Sequence, residues 1–92
     1  MKTALIFDRD EIRPQLRYDL IYETVNRSVY NSGSTKRKFR AMFSGYEREI
    51  IRTKIIPMAK KFATKGVPES LTITTREYNV WKSFERFCLI VG

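Results

Sequence analysis

The chain contains no histidine and a single cysteine, Cys88. These two absences remove zinc fingers, Cys-His nucleophile pairs, histidine general bases and any intramolecular disulfide. A lone thiol also suits a reducing compartment, which places the expected location in the cytoplasm. Long hydrophobic runs are missing as well. The longest near the start is Ala4-Leu5-Ile6-Phe7, far short of a membrane span or a signal-peptide core. Low-complexity segments and internal repeats are absent. Acidic residues are scarce in one particular place, and that scarcity leaves a basic segment uncompensated.

Between Lys36 and Lys65 lie ten basic residues against two acidic ones, Glu47 and Glu49. Their net of +8 equals the formal charge of the whole 92-residue chain, so the remaining residues sum to zero. Charge confined to one third of a chain points to a polyanion or an acidic protein surface as partner. Hydrophobic content of 42% beside 30% charged residues is that of a folded domain rather than a disordered tail. Residues 1–92 are long enough for one modest core and are expected to form a single globular domain around a basic helical segment, 34–65.

The apolar pattern predicts an α+β fold, mainly helical, with three or four helices, the central one kinked, and a small two-stranded sheet from residues 2–7 and 70–74. Thr3-Ala4-Leu5-Ile6-Phe7 is apolar and β-tolerant and runs into Asp8-Arg9-Asp10-Glu11, the profile of a strand ending in a charged turn. Leu71-Thr72-Ile73-Thr74 alternates apolar and β-branched polar residues and supplies its partner. Tyr18, Ile21, Tyr22, Val25 and Val29 lay a stripe along a helix beyond Pro14 that Asn31-Ser32-Gly33 should stop, with Ser34 capping the next.

Phe39, Met42, Phe43, Tyr46 and Ile50 then form a second stripe, and Ile51, Ile55, Met58 and Phe62 a third, turned well away from it. Two accounts fit this change of face. One is a long helix clamped by different neighbours at its two ends. The other is a break at Ser44-Gly45, where Ser44 and Glu47 can form a capping box. Pro57 lacks the N–H owed to the carbonyl of Thr53, so a kink is expected there, and Gly66 provides the exit. Thr74 and Glu77 offer another capping box before a last helix bearing Val80, Trp81, Phe84, Phe87, Cys88 and Val91 on one side. Residues 86–91 could instead peel off as a strand.

Arginine presents a planar fork of donors that suits phosphate oxygens, and a regular row of such forks can meet successive phosphates. On a helix that turns the second stripe inward, Arg37, Ala41, Arg48 and Arg52 fall on the opposite side, the last two one turn apart. The candidate nucleic-acid-binding residues are therefore Arg37, Lys38, Arg40, Arg48, Arg52, Lys60, Lys61 and Lys65. Tyr18, Tyr22, Tyr46 and Trp81 lie on inward stripes, the tyrosine hydroxyls and the indole N–H expected at the rim. Tyr30 and Tyr78 lie off the stripes and are the better candidates for stacking on bases.

The expected function is a small, non-enzymatic nucleic-acid-binding protein, RNA ahead of DNA, gripping phosphates with little base reading. No catalytic residue, metal or cofactor is expected and no membrane association. The main alternative is a small inhibitor or adaptor that places the same positive face on an acidic partner protein or ribonucleoprotein. The segment Phe7-Asp8-Arg9-Asp10 resembles the aspartate motif of haloacid-dehalogenase-like hydrolases over these few residues alone. It lacks the threonine or valine found next in that motif and the later lysine and acidic motifs. A pair of carboxylates at a strand end can hold magnesium for phosphoryl chemistry, so a magnesium-dependent nuclease at Asp8 and Asp10 is a third option, against acids that solubilise a turn or cap the helix that follows.

Overall fold

The computed structural model describes residues 3–92, of which the great majority are helical. Two strands, β1 (Ala4–Asp8) and β2 (Ser70–Thr74), pair antiparallel with Ala4 opposite Thr74 and Asp8 opposite Ser70. Alternation turns Phe7 and Ile73 into the core and leaves Ile6 and Thr72 outside. The first strand thus runs one residue further than the expected 2–7, and Lys2 lies outside the described residues.

Among the described residues there are five helices. The first, α1 (Arg9–Gln15), occupies the stretch expected to be a charged turn. Its cause is local. The Asp8 carboxylate accepts the Glu11 N–H at 3.0 Å while the Glu11 carboxylate accepts the Asp8 N–H at 3.0 Å, a complete capping box. Helix α2 (Tyr18–Val25) comes after an extended residue, Leu16, which is fully buried. The expected single stripe from Tyr18 to Val29 is cut short: a 3₁₀ turn (Ser28–Asn31) intervenes and Val29 is 39% exposed.

Ser32, rather than Ser34, caps α3 (Gly33–Met42) by accepting the Thr35 N–H at 3.1 Å. Asn31-Ser32-Gly33 therefore ends the 3₁₀ turn, whose C-cap is Ser32, and begins α3 in the same step, without the left-handed residue expected there, since among the described residues positive φ occurs at Gly66 alone, at 89°.

Of the two accounts of the central segment, the break is the one observed. Phe43 turns extended, and Ser44 and Glu47 form the expected capping box at 3.1 and 2.9 Å, starting α4 (45–65). Gly66 closes that helix, its N–H bonded to the carbonyl of Phe62. The break resets the helical phase, so Met42 and Tyr46 are 42% and 61% exposed although both were expected inward. Within α4 the distortion ahead of Pro57 takes the form of a π turn, Ile51–Ile55, in which the Ile56 N–H reaches back to the Ile51 carbonyl. The wider turn absorbs the crowding and missing donor that proline imposes. Ile50, Ile51, Ile55, Ala59 and Phe62 line its buried side.

Helix α5 (Thr75–Val91) runs through residues 86–91, and its Thr74–Glu77 capping box is present at 3.1 and 3.0 Å. Phe84 and Phe87 stack at 5.8 Å, and Phe39 meets Phe43, Phe84 and Phe87 at 5.4, 6.1 and 5.6 Å. Each such pair adds about 0.5–1.5 kcal/mol beyond its burial. The Trp81 indole N–H, expected at the rim, is buried with no hydrogen-bond partner. Tyr78, expected to be free for stacking, lies against Phe7 at 5.7 Å instead. No described helix is long and apolar enough to cross a membrane.

Candidate nucleic-acid interface

The break at Ser44 positions the site. On α3, Thr35, Phe39 and Phe43 turn inward, which leaves Lys36 and Arg40, one helical turn apart, on the flank. On α4, Arg48 and Arg52 have the same spacing. Because α3 and α4 are separate helices, the two rows meet across a concavity instead of continuing along one cylinder. Lys36, Arg40, Arg48 and Arg52 line a cavity of about 230 Å³ together with Tyr30, Asn31, Thr35 and Phe39. No carboxylate is among these residues.

Arg48 is held in place. Its Nη1 donates to the Phe43 carbonyl at 2.8 Å and to that of Arg40 at 3.4 Å. Arg52 is more exposed, and its guanidinium lies 3.5 Å from Glu49, a loose surface pair. Lys36 and Arg40 are exposed at the mouth. Tyr30 is half-buried, and burial raises its phenol above the ordinary value. The Cys88 thiol adds to that shift and the Arg52 charge opposes it. The Tyr30 hydroxyl thus stays protonated throughout the physiological range, able to donate as well as accept.

Of the eight residues expected to bind, Arg40, Arg48 and Arg52 come together here. Lys61 and Lys65 do not join them. They line a different groove, of about 620 Å³, with Lys54, Pro57, Met58, Phe62, Val67, Pro68 and Leu71. Lys54 is paired at 2.8 Å with Glu77, which lies outside that groove. Arg37 and Lys38 are exposed on α3 and line neither cavity, the Arg37 guanidinium lying over Gly33. Lys60 is exposed on α4 and also lines neither. The expected row of Arg37, Ala41, Arg48 and Arg52 assumed one continuous helix, and the extended backbone at Phe43 breaks that register.

Lys36, which the sequence allows as an extension of the basic row at its start, does line the pocket. Asn31, Thr35 and Phe39 are pocket residues that the sequence pattern did not single out for binding, since their place there depends on where the 3₁₀ turn sets α3. Tyr30, expected to stack on bases, does line the pocket.

Of the two strand-end carboxylates, Asp8 caps α1 and Asp10 lies exposed in its first turn, and no group of three or more His, Cys, Asp or Glu side chains suited to a metal ion occurs among the described residues. Comparison with protein-family models, with curated proteins and with solved structures returns no match for this chain.

Proposed function

We propose that this protein binds nucleic acid, RNA ahead of DNA, by gripping phosphates at the pocket between α3 and α4, and that it acts as a binding protein and not an enzyme. One observation carries the proposal: Lys36, Arg40, Arg48 and Arg52 converge on a single concavity free of carboxylates. A cleft lined by one sign of charge focuses its field and draws in the opposite charge faster than a convex surface does. The unpaired thiol of Cys88 suits residence in the cytoplasm.

The test separates placement of charge from amount of charge. A Lys36→Ala, Arg40→Ala, Arg52→Ala triple variant is compared with Arg9→Ala, Arg13→Ala, Arg86→Ala, which removes the same charge from exposed positions elsewhere. Oligonucleotide affinity is measured against salt. The first variant should lower the log–log slope by about 0.7 per lost contact on single strands or about 0.9 on duplex, and the second should leave it nearly unchanged. Equal effects of the two would sink the proposal.

The second groove favours an additional reading, an acidic partner protein. Met58, Pro57 and Leu71 line it beside Lys61 and Lys65, a combination suited to an acidic peptide with apolar anchors. Partner capture that resists nuclease and is lost on Lys61→Glu with Lys65→Glu supports it, and capture abolished by nuclease counts against it.

A further inference from the structure

We infer that the pocket between α3 and α4 accepts one unstacked nucleotide of a single strand, its base against Tyr30 and Phe39 and its phosphate among Lys36, Arg40 and Arg52. This rests on the nucleic-acid reading and narrows it to a ligand class.

Three observations carry the inference. The first is shape. Phosphates of a duplex ride on a convex rod whose bases are stacked out of reach, so a concave pocket adds nothing to duplex binding, whereas a single strand can splay a base into it. The volume of about 230 Å³ falls just under the range of about 300–1,000 Å³ typical of small-molecule sites, which leaves room for one base-sized group and not two.

The second is the division between the inside of the pocket and its mouth. Thr35 is buried and Tyr30, Phe39 and Arg48 are half-buried, while Asn31, Lys36, Arg40 and Arg52 are exposed. A site for phosphate alone would bring its free donors inward, yet here the inner cation, Arg48, is bonded to the Phe43 carbonyl and the other three are more exposed than the rings. That is the order of a nucleotide entering base first. Asn31 adds an amide that can meet a base edge.

The third is rigidity. The Phe39 ring is braced by Phe43, Phe84 and Phe87, so this wall is an outgrowth of the core. Arg48 is fixed by its bond to the Phe43 carbonyl at 2.8 Å. Arg52, by contrast, has only a loose exposed pair with Glu49 and is free to turn to a phosphate. A pre-formed pocket wall loses little on binding a base.

The experiment uses fluorescence anisotropy with one labelled sequence as single-stranded RNA, single-stranded DNA and duplex, at fixed ionic strength. The single strands should bind more tightly than the duplex. A nucleoside 5′-monophosphate should displace the labelled single strand at lower concentration than inorganic phosphate does. Tyr30→Ala should weaken single-strand binding about tenfold, within the range for stacking one base, and leave duplex affinity unaltered. Tyr30→Phe, which keeps the ring, should bind the single strand as the wild type does. The RNA and DNA arms name the natural source, and either one satisfies the inference.

A monophosphate no better than phosphate overturns it, and because that measurement uses the wild-type protein it stands even if a variant fails to fold. Equal losses for single strand and duplex in Tyr30→Ala overturn it as well. A salt slope that depends on Lys36, Arg40 and Arg52, with no preference for single strands, leaves the basic face standing and removes the base pocket alone. Wild-type protein that binds none of the three oligonucleotides removes both.

Discussion

The Arg48 guanidinium donates to the carbonyl oxygen of Phe43 at 2.8 Å, so one side chain both lines the basic pocket and closes the end of α3. Cations near a helix C-terminus satisfy its last carbonyls and its dipole together. The pocket is therefore built partly from a capping interaction. A change there disturbs the end of α3 and the pocket wall at once.

Arg48→Met, which keeps the aliphatic stem and loses the donors, should cost about 1–2 kcal/mol of stability. Arg52→Ala should stay within about 0.5 kcal/mol, since its pair with Glu49 is exposed and loose. Urea midpoints at constant m-value measure both. Equal midpoints for the two variants would show that the Phe43 bond contributes nothing.

Glu77 carries a pH dependence. The Lys54 ammonium, bonded at 2.8 Å, and then the Thr74 N–H hold its carboxyl below the ordinary value of 4.5. A lowered carboxyl pKa stabilises the folded state fully above the unfolded value and loses that contribution as pH falls through the folded one. Stability should thus drop below about pH 4.5 with a component that Glu77→Gln removes. Glutamine still completes the capping box, so the comparison isolates the charge. An acid limb of the same steepness in Glu77→Gln would refute the assignment.

Cys88 should be inert in the native protein. Burial pushes its thiol up to about 12, with the hydrogen bond to Thr24 opposing and the Glu85 charge adding to the rise. A thiol-reactive disulfide reagent at pH 8 should label it only as fast as the helix opens, and at once in urea. Because the folded pKa is raised, the associated stability is intact below the unfolded value of 9.0 and is lost as pH climbs towards 12. Rapid stoichiometric labelling without denaturant would contradict the burial.

Elements whose cause lies within a few residues were legible. Ser44–Glu47 and Thr74–Glu77 are reciprocal bonds between positions three apart, and β2 arises from alternation in Leu71-Thr72-Ile73-Thr74. Asp8 and Glu11 have the same three-residue spacing, but a charged run straight after an apolar strand reads as a turn, and so α1 was missed. The junction between α1 and α2 could not be seen locally. The Arg17 N–H there is satisfied by the Glu85 carboxylate at 3.1 Å, a bond across 68 positions, and Lys82 holds the other oxygen at 3.2 Å. A buried polar group needs a partner, and nothing in periodicity reports one supplied by a distant helix.

By itself the sequence determined the helical and strand periods, two of the capping boxes and the concentration of positive charge between Lys36 and Lys65, because each depends on residue type and short spacing. Tertiary structure alone decided that this charge divides, with Arg40, Arg48 and Arg52 around one cavity and Lys61 and Lys65 around another. The division arises because an extended residue at Phe43 and a π turn before Pro57 each rotate the helix beyond them. A switch from helical to extended backbone at one position redirects every later side chain, and packing against Phe84 and Phe87 sets where Phe39 and its basic neighbours come to rest.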